Sequence, residues 1–126
     1  MNQSMSRPAV LLVEDEFLIA ILIEEQVAAM QFDVVVATSV AEALDSLGQR
    51  RFELAILDYH LRGETAEAVA AELLRLRVPF SICTGLNDPR VIGSFPGVPI
   101  IEKPFDDHAI PAAIASLIGR TQALAS

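Results

Sequence analysis

The sequence predicts an α/β fold, a doubly wound sheet of five parallel strands with helices on both faces. Three observations predict it. Short apolar runs alternate with stretches of helical periodicity. The runs are apolar nearly throughout rather than at every second residue, as in strands covered on both faces. Charged or hydroxyl residues stand at the carboxyl ends of several runs, where such sheets gather their ligands.

The elements follow in order. Ala9–Val13 is the first strand, closed by the acidic pair Glu14–Asp15. A helix covers 17–30. Asp33–Ala37 is the second strand, three valines and an alanine after the aspartate. Ser39 and Glu42 form a capping box at the start of the second helix, whose apolar positions are Val40, Ala43, Leu44 and Leu47. Gly48 sits near its end. The third strand, Phe52–Leu57, leads into Asp58, and the third helix spans 65–76, with Pro79 barring continuation. Phe80–Thr84 and Val98–Glu102 are the fourth and fifth strands, the last followed by Lys103-Pro104. Between them Gly85, Pro89, Gly93, Pro96, Gly97 and Pro99 leave room for little more than one turn of helix. Asp88 would cap that turn, with Pro89 at its first position. The final helix starts at Asp106 or Asp107, with acids in its first turn, and Gly119 stops it. On this reading 9–119 is one domain, 1–8 a flexible leader and 120–126 a loose tail.

Bulk properties exclude several classes of function. The 126 residues suit a single core. A net charge of −8 argues against a nucleic-acid surface, which needs a basic stripe. No apolar run approaches the ~20 residues of a membrane span, and 1–8 lacks the apolar stretch of a signal peptide. The single cysteine, Cys83, cannot form an internal disulfide and reads as a small core residue, which points to a reducing cytoplasm.

The strand ends carry the chemistry. Glu14, Asp15 and Asp58 are carboxylates brought to one edge by the topology, and Lys103 joins them. Side-by-side carboxylates repel, more so when buried. A divalent cation among them, and an anion facing the lysine, would relieve that repulsion. This is the outline of a Mg2+-dependent phosphoryl-transfer site. Alone, Asp58 reads as an ordinary turn aspartate; with the acidic pair and lysine nearby, it reads as a nucleophile able to form an acyl phosphate. Glu14 and Asp15 are metal ligands on this reading, their plainer role being charge at a helix start. Lys103 pairs with Asp58 at rest and with a phosphoryl oxygen afterwards. Its following proline permits a cis peptide. The Thr84 hydroxyl could bond a phosphoryl oxygen, and the backbone carbonyl of His60 could serve the metal. His108 reads as a surface residue.

Val13-Glu-Asp-Glu16, Leu57-Asp58, Thr84-Gly85 and Lys103-Pro-Phe105 together resemble the receiver domain of bacterial two-component response regulators. The motifs keep the family's order and spacing and span nearly the whole chain. The resemblance implies a flavodoxin-like sheet in the order 2-1-3-4-5, bound Mg2+, and phosphorylation of Asp58 by a histidine kinase or phosphotransfer protein. It makes Thr84 the switch hydroxyl. It implies a cytoplasmic signalling protein rather than an enzyme, a stand-alone receiver, and a monomer or weak dimer. One departure is Ile100, where the family often has an aromatic switch residue. Another is Pro79-Phe-Ser-Ile-Cys-Thr-Gly85, which with Arg62-Gly63-Glu64 is similar to a P-F-x-F-A-T-G subgroup common in alphaproteobacteria. With no ring to swing, the response is expected in Leu86 to Gly97.

Two rival readings fit less well. A haloacid-dehalogenase-type phosphatase needs a second aspartate two residues after the nucleophile, and here that position is His60. A pseudo-receiver, binding partners without phosphate, sits poorly with the intact acidic pair, Asp58, Thr84 and Lys103. For partner docking, helix 1 carries surplus apolar residues: Ile19, Ile23, Val27 and Met30 share one face, while Phe17, Ile21 and Ala28 fall roughly opposite. Phe17 and Ile21 are thus the expected docking residues.

Overall fold

Twelve elements make up the computed structural model, which describes residues 7–85 and 89–125. In chain order they are β1 (Ala9–Val13), α1 (Phe17–Ala28), β2 (Asp33–Ala37), α2 (Val40–Gln49), β3 (Leu54–Asp58), β4 (His60–Leu61), β5 (Glu64–Thr65), α3 (Glu67–Leu76), β6 (Phe80–Gly85), α4 (Pro89–Ser94), β7 (Ile100–Lys103) and α5 (Ala109–Ala125). Five strands form a parallel sheet in the order β2-β1-β3-β6-β7, which is the predicted 2-1-3-4-5. The remaining two, β4 and β5, form an antiparallel hairpin.

Alternation along the central strands divides the core into two layers. From β1 and β3, Leu11, Val13, Ala55 and Leu57 pack with Ala43 and Leu47 of α2 and with Val69, Ala70 and Leu73 of α3. Val10, Leu12, Leu54 and Ile56 face the other way, toward Ile23 and Val27 of α1 and Ile110, Ile114 and Leu117 of α5. Every residue of β1 and β3 is buried. Each large aliphatic side chain so buried contributes roughly 1.5–3 kcal/mol. This two-sided burial explains the uninterrupted apolar runs in the sequence.

Several boundaries differ from expectation. The first helix stops at Ala28, and Gln31 takes a left-handed φ of 73° in the turn that follows. The capping box is incomplete. Ser39 Oγ accepts the Glu42 N–H, but the Glu42 carboxylate bonds Thr38 N and Oγ1 instead of reaching back to Ser39. The third strand begins two residues late, at Leu54. The third helix begins at Glu67 because 60–65 turns into the hairpin, with Gly63 at φ 73° in its two-residue loop. The fourth strand extends to Gly85, and the fifth is displaced to Ile100–Lys103.

The last helix departs most. It starts at Ala109, so its first turn holds no acid; Asp106 Oδ1 instead accepts the His108 and Ala109 N–H groups ahead of it. Gly119 does not stop it, and the helix runs to Ala125 through the expected loose tail. Glycine costs only about 1 kcal/mol inside a helix, and good helix formers follow it here. The short α4 is as expected; its expected cap, Asp88, lies outside the described residues. No helix among the described residues is long and apolar enough to cross a membrane.

Candidate functional site

Parallel strands with a common direction end on one edge. The register sets Val13 beside Leu57, Asp58 beside Cys83, and Gly85 beside Lys103. The charged residues that close these strands therefore meet. Glu14, Asp15 and Asp58 each offer a carboxylate oxygen, all within 4.8 Å of one another. Lys103 Nζ stands 3.2 Å from Asp58 Oδ2 and 3.3 Å from Glu14 Oε1. The Lys103–Pro104 peptide is cis. Glu14 is only 1% exposed and Asp58 6%, while Asp15 is half-buried.

Three carboxylates share one ammonium, and the electrostatics record the imbalance. Burial pushes the Glu14 carboxyl up from 4.5 to about 7. The Glu16 N–H, which donates to Glu14 Oε2 at 3.0 Å, and Lys103 pull it down; Asp58 pushes it further up. For Lys103, burial disfavours the charged form. The Asp58 and Glu14 carboxylates together outweigh it, and its pKa ends above the usual lysine value. Lys103 is therefore a fixed cation. Asp15 is held from the side: its Oδ2 accepts the Arg62 N–H at 2.8 Å. The Arg62 guanidinium is exposed and 3.9 Å away, so this ion pair adds little.

Thr84 is buried at 1% exposure, and its Oγ1 has no hydrogen-bond partner. Leaving such a hydroxyl unpaired costs roughly 1–3 kcal/mol. Around the site lies a cavity of about 500 Å³ lined by Asp15, Glu16, Ile19, Asp58, His60, Leu61, Arg62, Gly85 and Lys103. The donors are hard oxygens, the local charge is negative, and one buried hydroxyl lacks a partner. That set fits a hard divalent cation and an added oxyanion.

The other expected residues are placed as follows. His60 is exposed on β4, its ring edge-on to Tyr59 at 4.9 Å. Ile100 opens β7 half-buried, against the α2–α3 layer. Cys83 is buried beside Asp58; burial pushes its thiol up to about 12, which leaves it inert. His108 is exposed. The start of the expected switch segment, 86–88, lies outside the described residues.

The expected docking residues differ in exposure. Phe17 is 75% exposed, but Ile21 is half-buried; the apolar surface is completed by Leu18, 74% exposed, and Leu22, 56% exposed. The inward face of α1 is the expected one: Ile23 and Val27 are buried, Ile19 and Met30 pack against the same cluster, and Ala20 joins them. The helix is apolar nearly all round, so periodicity found its inward stripe but left the extent of the outward apolar surface open. Leu22 also lines an apolar groove of about 360 Å³ with Ile19, Lys103, Pro104 and Phe105. Leu18, Leu22 and the groove were missed because burial by α5 and the β7–α5 turn is tertiary.

Comparison with known proteins completes the picture. No family model matches the chain, and no curated protein matches it by sequence. Solved structures do match. The solution structure of SdrG from Sphingomonas melonis Fr1 is 34% identical, with a TM-score of 0.77 over 89% of this chain and 97% of that one. The receiver domain of the response regulator PhyR from Erythrobacter litoralis is 23% identical, with a TM-score of 0.80 over 91% and 92%. A response regulator receiver protein from Sinorhizobium medicae WSM419 is 20% identical, with a TM-score of 0.79 over 90% and 95%. Fold and site together define a flavodoxin-like α/β domain with an acidic pocket at the sheet's carboxyl edge. The chain has the flavodoxin-like fold of the response regulator receiver domains among these structures.

Proposed function

We propose that this receiver is a phosphorylation switch in which Asp58 accepts a phosphoryl group from a histidine kinase or histidine phosphotransfer protein, with Mg2+ as cofactor. One observation carries the reading: a buried aspartate held 3.2 Å from Lys103 and clustered with Glu14 and Asp15. An Asp58 carboxylate oxygen forms the new O–P bond. The P–N bond of the donor phosphohistidine breaks, and its electron pair returns to the imidazole nitrogen.

Glu14, Asp15, Asp58 and the His60 backbone carbonyl would hold Mg2+, which neutralises charge on the transferring group. The chain's own residues do the rest. Lys103 fixes Asp58 before transfer and carries its positive charge to the new phosphoryl oxygens afterwards. The Thr84 hydroxyl gains an acceptor, ending its unpaired burial. The acyl phosphate brings about two negative charges, enough to re-pair both groups. Phe17, Leu18 and Leu22, with the groove reaching Phe105, form an apolar surface next to Asp58 that suits the histidine-bearing helices of the donor. The setting is the cytoplasm, where such donors present their phosphohistidine.

Acetyl phosphate labelling tests the reading, since it needs no docking partner. Wild type should gain one phosphoryl group with Mg2+ and none with chelator, and Asp58→Asn should gain none. Full labelling of that variant would overturn the assignment. A wild type that stays unlabelled would favour phosphate-independent binding.

A further inference from the structure

The hairpin β4–β5 contains a polar link that the phosphoacceptor site does not explain. Glu64 is exposed on β5, yet its Oε2 accepts the Val40 N–H at 3.1 Å, across 24 residues of sequence. Val40 is the first residue of α2, and its N–H is one that no helical carbonyl can satisfy. A carboxylate there also favours the positive end of the helix dipole. The hairpin is thereby tied to α2 at the outer end of its loop. On the inner side, the same two-residue loop sends the Arg62 N–H to Asp15 Oδ2 at 2.8 Å. Glu64 and Arg62 flank Gly63, whose φ of 73° fixes the loop's turn. Moving one end of so short a loop moves the other.

We propose that Glu64 is a positioning residue for the metal site: by anchoring the hairpin to the first amide of α2, it holds the Arg62 N–H against Asp15. Asp15 then keeps one oxygen committed to Arg62 and the carboxylate oriented toward Glu14 and Asp58. Hydrogen bonds that orient a metal ligand typically change affinity by about 10- to 100-fold. Glu64 acts one step further out, so the expected effect is smaller. This inference rests on the proposed cation site.

The test is a Mg2+ titration of the full chain, read by the fluorescence of Tyr59, the only tyrosine in a chain without tryptophan. Tyr59 follows Asp58 directly and is buried. Glu64→Ala should weaken Mg2+ binding by about three- to tenfold. Glu64→Gln removes the same charge but keeps a carbonyl oxygen to accept the Val40 N–H, and should bind as wild type does. Melting temperatures of the metal-free proteins should agree within a few degrees. If the glutamine variant binds as weakly as the alanine variant, the effect is loss of charge and the proposal fails. It fails equally if alanine binds as wild type does. A wild type that shows no saturable Mg2+ binding by fluorescence or calorimetry would instead remove the cation site itself.

Discussion

Replacing Glu14 by glutamine probes the charge balance of the site most sharply. Burial raises the Glu14 carboxyl from 4.5 to about 7, opposed by the Glu16 N–H and Lys103 and reinforced by Asp58. A raised carboxyl pKa means that the folded protein holds this proton more tightly than the unfolded chain does. The stability it contributes is complete below pH 4.5 and is lost as the pH climbs through 7. At about 1.4 kcal/mol per pH unit, that span sets a ceiling of about 3.5 kcal/mol. Lys103 and Asp58 readjust as Glu14 ionises, so a loss of about 1–2 kcal/mol is expected. Glu42 and Glu72 have lowered pKa values, and their contributions change only below 4.5. The assay is urea unfolding with chelator at intervals between about pH 5 and pH 8. Wild type should lose stability across this range, while Glu14→Gln should follow a flatter profile and be the more stable at the alkaline end. Mg2+ at roughly a hundred times its Kd should restore about 2.7 kcal/mol to wild type at pH 8, and less at pH 6 where the proton competes. Parallel profiles for the two proteins would refute the argument.

Other outcomes follow from the same geometry. Thr84→Val removes a buried hydroxyl that has no partner, and should raise resting stability by about 1 kcal/mol in thermal unfolding while abolishing the response to phosphorylation. Leu22→Asp, on the exposed face of α1, should slow transfer from a histidine phosphodonor protein by about tenfold, since a buried leucine contributes roughly 1.5–3 kcal/mol. Labelling by acetyl phosphate should stay within twofold; equal losses in both assays would mean a damaged fold. Beryllofluoride with Mg2+ should change amide exchange across residues 86–97. Phe95 stacks edge-on with Tyr59 at 6.4 Å and with Phe80 at 6.2 Å, so Phe95→Ala should weaken that exchange response.

Much of this was legible before the structure. Strands buried on both faces announce themselves as apolar runs, and a strand's end fixes where its closing residue goes. Glu14, Asp15, Asp58, Thr84 and Lys103 were readable for that reason: topology alone gathers them. The hairpin was not, because two-residue strands carry no periodicity; its one local signal was Gly63 between Arg62 and Glu64. Gly119 misled because a glycine reads as a stop only when it takes a left-handed conformation, and here it stays helical. Arg77 ends α3 in that conformation, at φ 60°, with no glycine to mark it. The outward apolar surface of α1 was only partly readable. The inward stripe of Ile19, Ile23, Val27 and Met30 was readable, but only packing against β2 and α5 shows that Leu18 and Leu22 are left outward.

Reductive trapping of the phosphorylated protein tests the central claim most directly. Borohydride converts an aspartyl phosphate to homoserine, which peptide mass spectrometry locates by residue. After acetyl phosphate and Mg2+, homoserine should appear at position 58 and nowhere else, and it should vanish when Mg2+ is chelated or Lys103, Glu14 and Asp15 are unfolded with urea. Homoserine at another aspartate, or phosphate recovered on a histidine or serine with position 58 unmodified, would contradict the account.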